Sequence, residues 1–207
     1  MLSEANIASM VLAGGGGTRL GGNKLSHIIG DQTLLERVLS SVAPLSNEIL
    51  VVIADGQAPP VLAHAIAKIV FDIYPEKGVL GGLYAGLSAL SNSHTLAVGC
   101  DMPFLNIPLL RSMAQLAPSF DAVVPKVDGK VHPLHAIYNK SCLPVVQEQI
   151  ESGDLRVTRL LTRLRVRYIM EDEIDKFDPK HLSFFNINTP DDLNRARELA
   201  AQLRGNA

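Results

Sequence analysis

The chain has 207 residues, of which 47% are hydrophobic and 19% charged, with a formal net charge of −2. That balance suits one folded domain with a sizeable core, and it excludes a basic surface that would recruit nucleic acid by counterion release. Two cysteines, 5% aromatic residues and no Trp also exclude a disulfide framework, a zinc module and a stacking platform for single strands. No apolar run approaches membrane-span length, and a signal peptide is not expected, so the expected location is cytoplasmic.

The first element predicted is a buried strand over Ile7 to Ala13. Six glycines then fall within nine residues (Gly14 to Gly17, Gly21 and Gly22), with Arg19 inside the run and Lys24 closing it. A run this rich in glycine cannot pack a core or propagate a helix. It can bring backbone N–H groups close to an anion, and the two cations supply the opposite charge. The stretch reads as a polyphosphate-binding loop. It is not a Walker A loop, because Lys24 follows Asn23 and precedes Leu25 where G-K-[ST] is needed. The dinucleotide pattern G-x-G-x-x-G also fails in every register. Starting at Gly16 or Gly17, Thr18 or Arg19 stands where glycine is required.

Gly30-Asp31-Gln32 turns the chain, and Thr33 with Glu36 forms a capping box for an amphipathic helix. Its stripe is Leu34, Leu35, Val38, Leu39 and Val42, and Pro44 ends it. Ile49 to Ala54 is a continuous aliphatic run, hence a strand covered on both faces. A short apolar helix to about Ala67 leads to a strand at Ile69 to Phe71, with Asp72 at its carboxyl end. A second glycine-bearing loop then enters a helix carrying Gly81, Gly82 and Gly86, which suit either close helix–sheet packing or close ligand approach. His94 to Cys100 is the fourth strand, ending in Asp101-Met102-Pro103. Strands alternating with helices predict a doubly wound, mostly parallel α/β sheet of Rossmann-like type, which binds ligands at the carboxyl ends of its strands. Asp101 at such an end, beside a polyphosphate loop, is placed to hold Mg²⁺.

Asn106 caps a further helix to Leu116. Asp128-Gly129 predicts a small hairpin between Phe120 to Val127 and Val131 to Asn139. His132 and His135 on the returning strand would face opposite ways. His132 is read as a substrate-side hydrogen-bond donor and His135 as structural. Helices are predicted over Leu143 to Glu151 and Leu155 to Leu164. Arg156, Arg159, Arg163, Arg165 and Arg167 would form either a solvated face or a cationic wall for a phosphorylated second substrate. A strand at Val166 to Met170, an acidic turn at Glu171 to Glu173 and a short strand at Phe184 to Asn188 follow. The closing helix starts at Thr189-Pro190 and buries Leu193, Ala196, Leu199, Ala200 and Leu203.

Four motifs occur in order: L-A-G-G-x-x-x-R-x-G-x-x-K (Leu12 to Lys24), D-x-Y-P…G-x-L-x-G (Asp72 to Gly82), C-D-M-P (Cys100 to Pro103) and F-x-N-I-N-T-P-x-D-L (Phe184 to Leu193). With H-P-L-H-A at His132 to Ala136, the chain resembles the molybdenum cofactor guanylyltransferases, the MobA family. The resemblance implies transfer of GMP from GTP to molybdenum-bearing molybdopterin, with release of pyrophosphate. It implies nucleotide contacts at Leu12, Ala13, Gly14, Gly15, Lys24, Asp72 and Asp101, with Mg²⁺ on Asp101. Lys24, Asp101 and Arg19 would be catalytic, and Asn186, Asn188 and His132 would serve the acceptor. Residues 1–105 would form the nucleotide-binding half of a single domain and 106–207 the acceptor half. Transient contact with molybdenum-insertion proteins or molybdoenzymes is implied too. One departure stands out: where some members present an Asn after the second strand, this chain has Ile53 and Ala54. A CTP-dependent transferase, a sugar- or polyol-phosphate transferase and a non-catalytic nucleotide-binding module are the competing readings.

Overall fold

Strand β1 (Ile7–Leu12) lies in the middle of the sheet, flanked in parallel by β4 (Ser46–Ile53) and β6 (His94–Gly99). The computed structural model describes residues 7–14, 24–62 and 67–205. Both faces of β1 are covered, which is why its sequence is apolar on both sides rather than alternating, interrupted only by the buried Ser9, whose hydroxyl pairs with that of Ser46 at 2.5 Å. Ile7 and Val11 join one core cluster, while Ala8 and Met10 join the other.

On the first face lie α1 (Leu34–Val42) and α3 (Ile107–Leu116). All five residues of the predicted α1 stripe are buried, and the capping box is present: Glu36 N donates to Thr33 Oγ1 at 3.2 Å and Thr33 N to Glu36 Oε2 at 2.8 Å. Each such side chain, fully buried, contributes roughly 1.5–3 kcal/mol relative to exposure. Asn106 caps α3 as predicted, its Oδ1 accepting from Leu109 N at 2.9 Å. On the second face lie α2 (Gly78–Ala89), α4 (Leu143–Glu151) and α5 (Val157–Leu161). A methyl group on Gly82 would lie 2.8 Å from Leu12 Cδ2, and one on Gly86 2.5 Å from Met10 Sδ. These two glycines therefore serve close helix–sheet packing.

Among the described residues the sheet has eight strands. Its order is β10 (Val166–Ile169), β7 (Ala122–Val127), β9 (His135–Asn139), β6, β1, β4 and β5 (Lys68–Phe71), with β8 (Lys130–Val131) paired to β7 alone. Strand β9 runs antiparallel to both its neighbours; β10, β7, β6, β1, β4 and β5 run in one direction. A separate ribbon, β2 (Ile28–Ile29) with β3 (Gln32–Thr33), sits beneath the closing helix α7 (Pro190–Gly205), where Ile29, Leu34, Phe104, Ile187 and Ala196 form a third core cluster.

Several expectations need correction. No strand forms at Phe184 to Asn188. A 3-10 turn spans Leu182–Phe184, and the extended chain after it sends Ile187 N to Asp101 O at 3.0 Å instead of to a ladder. The helix expected over Leu155 to Leu164 is only α5, which ends before Arg163. The acidic turn is the short helix α6 (Glu171–Ile174), started by Glu173 accepting from Met170 N at 3.2 Å. In α7, Leu193, Ala196 and Ala200 are buried but Leu203 is 44% exposed. The apolar helix expected before Ala67 falls largely on residues 63–66, outside those described, and residues 59–62 are not helical.

Candidate active site

Strands β1, β4, β5 and β6 end along one edge of the sheet, and the candidate residues leave from those ends. The chain after β1 stays in register for one more residue, Ala13 N donating to Val52 O at 2.7 Å. Gly14 follows at van der Waals limit: a methyl group there would sit 2.7 Å from Ala54 N. Backbone cannot yield as a side chain can, so this position requires glycine. Gly15 and Arg19 lie outside the described residues.

Lys24 opens a 3-10 turn, and its Nζ lies 3.1 Å from Asp101 Oδ2. Both side chains are mostly shielded, 16% and 26% exposed. Asp101 is held by its surroundings from several sides. Cys100 N donates to Leu12 O at 3.1 Å, Asp101 O accepts from Ile187 N, and Arg37 Nε donates to Pro103 O at 2.9 Å. Gly99 supplies the space, since a methyl group there would lie 2.4 Å from Asp101 Oδ1. The neighbouring Cys100 thiol is pushed up to about 12 by burial, so no thiolate competes with the carboxylate.

Asp72 N donates to Ile53 O at 2.8 Å, and its Oδ1 accepts from Tyr74 N at 2.8 Å. Its carboxylate packs on the first turn of α2, where a methyl group on Gly81 would meet Oδ2 at 2.6 Å. Desolvation raises its pKa, and the Tyr74 amide partly offsets that. Three strand spacings separate the ends of β5 and β6, roughly 14 Å at about 4.8 Å each. The two carboxylates therefore do not share a metal; among the described residues no group of three or more His, Cys, Asp or Glu could hold one. A single hard oxygen donor fits Mg²⁺ that completes its shell with phosphates and water. That this carboxylate faces a cation already, the Lys24 ammonium, is in keeping with that role.

The acceptor-side candidates lie across Asp101 from Gly14. Gly99 N donates to Leu134 O at 3.2 Å, bringing the His132–His135 segment to the end of β6. The two histidines do not face opposite ways. The strand breaks at Pro133, His135 N bonds to His132 O at 3.1 Å, and both rings lie 4.7 Å from the Phe184 ring. His135 is wholly buried and its pKa falls to about 3; burial also lowers that of the half-buried His132. Both are neutral near pH 7, so His132 can donate or accept one hydrogen bond. Asn186 and Asn188 flank buried Ile187, with Asn186 Nδ2 turned to Phe184 O at 3.0 Å.

Four of the five arginines in the cluster are paired with acids rather than free as a cationic wall. Arg156 pairs with Asp154 at 2.6 Å, Arg163 with Glu148 at 2.5 Å, Arg167 with Glu173 at 2.6 Å and Arg165 with Asp121 at 3.9 Å. These are exposed or partly exposed pairs of small energetic value. Sequence reasoning missed Gln57 and Gly99, which matter through what they touch across the fold. Gln57 Nε2 donates to Ala13 O and its Oε1 accepts from Ala54 N, each at 3.3 Å. Only the departure at Ile53 and Ala54 hinted that something else completes this end of the sheet.

The family model of the MobA-like NTP transferase domain matches residues 9–168. The chain belongs to the MobA-like NTP transferase family. This NTP transferase is 30% identical over 195 residues to the probable molybdenum cofactor guanylyltransferase of Pelotomaculum thermopropionicum, covering 94% of each chain. Among solved structures, the molybdopterin-guanine dinucleotide biosynthesis protein A of Archaeoglobus fulgidus superposes with a TM-score of 0.82 at 31% identity, over 95% of this chain and 100% of that one. The 2-C-methyl-D-erythritol 4-phosphate cytidylyltransferase of Thermus thermophilus shares the fold, with a TM-score of 0.69 at 20% identity, over 94% and 99% of the two chains. The doubly wound nucleotidyltransferase fold is therefore that of this chain.

Proposed function

We propose that this nucleotidyltransferase moves GMP from GTP to molybdopterin, forming the guanine dinucleotide and pyrophosphate. The observation that carries the reading is Lys24 beside Asp101 at the carboxyl edge of the sheet. Support for guanine over cytosine comes from the relatives' names, since the cytidylyltransferase likeness bears on fold alone. The four parallel strands from the first half would carry the nucleotide. The half from residue 106 onward would present the acceptor, with Asn186, Asn188 and His132 on its side of Asp101.

The chemistry required is charge management. A terminal phosphate of the acceptor attacks the α-phosphorus, and pyrophosphate leaves in line. Both reactants are anions and the nucleophile is already ionised near pH 7, so no general base is needed. Lys24 and the loop amides after Gly14 would neutralise the triphosphate, with Arg19 assigned the same task. Asp101 would hold Mg²⁺, which supplies Lewis-acid charge to the α-phosphate and the leaving group. Asp72, at the far end of the edge, would bind on the nucleoside side. His132 would donate to the acceptor.

No helix among the described residues is long and apolar enough to cross a membrane. A cytoplasmic location, with transient handover to molybdenum-insertion proteins or molybdoenzymes, belongs to the same proposal. The test is pyrophosphate release from each of the four nucleoside triphosphates with Mg²⁺ and molybdopterin. Release that requires both GTP and the pterin is the expected result. Turnover with CTP in place of GTP would reassign the enzyme to the cytidylyl group.

A further inference from the structure

The end of the β1–β4 ladder carries a side chain where a backbone rung would be. After Ala13 N bonds to Val52 O, the next parallel rung would run from Ala54 N to Ala13 O. Instead the Gln57 carboxamide stands between them, its Oε1 accepting from Ala54 N and its Nε2 donating to Ala13 O. The turn that brings it back closes from Gln57 N to Ala54 O at 3.1 Å, with Gly56 at φ +75°. The amide can sit only this way round, because reversing it would face donor to donor and acceptor to acceptor. Both bonds are 3.3 Å, beyond the usual 2.7–3.2 Å range for N–H···O. The insert is therefore held weakly.

A primary amide presents the same edge as a base lactam: a carbonyl acceptor beside an N–H donor. Guanine offers it as O6 with N1–H. We infer that Ala54 N–H and Ala13 C=O are the reading pair for a nucleobase lactam, and that the Gln57 carboxamide holds their place until the base displaces it. This rests on the nucleotide-binding reading above and adds to it the source of base preference.

Strand order gives the direction. Ala54 directly follows β4 and Ala13 directly follows β1, with β6 and Asp101 beyond β1. With O6 on Ala54 and N1–H on Ala13, the guanine edge continues through N2 toward Asp101, and the ribose on N9, which leaves from the N3 side of the base, is carried in that direction. Adenine and cytosine reverse donor and acceptor. To satisfy the same pair they must turn over, and the ribose then points toward β5, away from Lys24. The missing Asn after β4 thus has a replacement in the backbone itself, masked by Gln57.

The test is calorimetric binding of GTP, ITP, ATP and CTP, each with Mg²⁺, to the full chain and to Gln57→Ala and Gln57→Asn. The Asn side chain keeps the amide but is one methylene too short to span the gap. ITP keeps the lactam and lacks the 2-amino group, so it should bind within about tenfold of GTP, while ATP and CTP bind roughly a hundredfold more weakly. Both variants should tighten GTP and ITP about three- to tenfold, because a competing pair of weak hydrogen bonds is gone. Unchanged GTP affinity in both variants would reduce Gln57 to a cap on the ladder. ITP as weak as ATP would show that the lactam is not what is read. Equal binding of all four triphosphates would leave the polyphosphate site standing and remove the reading pair. Binding of none would overturn the nucleotide reading itself, and this inference with it.

Discussion

Lys24 Nζ meets Asp101 Oδ2 at 3.1 Å across 77 residues of sequence, tying the end of the glycine loop to the end of β6. The two groups are assigned different partners during the reaction, phosphate for the lysine and metal for the carboxylate. Lys24→Ala should therefore weaken triphosphate binding more than monophosphate binding, by about tenfold, the cost of one charge-assisted contact. Titrating GTP and GMP against the variant checks this; equal weakening of both would move the lysine away from the terminal phosphates.

Asp101→Asn keeps the shape of the side chain but halves its acceptors and removes its charge. The fold should be retained, since Asp101's backbone bond to Ile187 N does not involve the carboxylate. Turnover should fall by roughly a hundredfold or more, because charge developing in the transition state loses its compensation. A Mg²⁺ titration of pyrophosphate release would show saturation shifted or abolished. Near-normal turnover at the same Mg²⁺ concentration would place the metal elsewhere.

Gly99→Ala tests positioning without touching charge. The added methyl group would lie 2.4 Å from Asp101 Oδ1, a contact that real structures do not hold. The nearest atom belongs to a short side chain, so the carboxylate should rotate away while the strand stays in place. We expect stability within about 1–2 kcal/mol of the parent and activity falling toward that of Asp101→Asn. Comparing Tm with kcat separates the two effects. Lost folding with residual kcat unchanged would mean the strand, and not the carboxylate, had moved.

What could be read from sequence was what is encoded locally. The largely apolar run of β1, the capping box at Thr33 and Glu36, the Asn106 cap and the Thr189-Pro190 helix start each involve near neighbours in the sequence, six consecutive residues in the strand and partners three apart in the caps. Lys24 and Asp101 were legible because each closes a distinctive motif, although nothing in the chain order says they touch. Phe184 to Asn188 was misread as a strand because its alternation is real: Ile187 is buried between Asn186 and Asn188. The backbone bond that decides the matter goes to Asp101. Pro133 likewise broke the alternation assumed for His132 and His135. Gln57 and Gly99 could not be found, because a carboxamide in a loop and a glycine at a strand end mean something only through Ala13, Ala54 and Asp101.

His135 makes stability fall with acid. Buried against Phe184 and near His132, it has a folded-state pKa lowered from 6.5 to about 3, chiefly by desolvation. A base whose pKa is depressed on folding binds more protons when unfolded, so its contribution is fully present above pH 6.5 and is lost as pH falls from there toward 3. At pH 5 the loss is about 2 kcal/mol, from about 1.5 pH units at roughly 1.4 kcal/mol each. His132, lowered in the same direction, adds to it. His135→Gln removes one titration while keeping a neutral polar side chain, and it should be less stable than the parent at pH 7.5 because the ring's packing on Phe184 is lost. The parent should nevertheless lose more stability than the variant between pH 7.5 and 5. Urea unfolding at the two pH values measures that difference of differences. Parallel losses in the two proteins would mean that His135 carries a partner for its charge in the folded state.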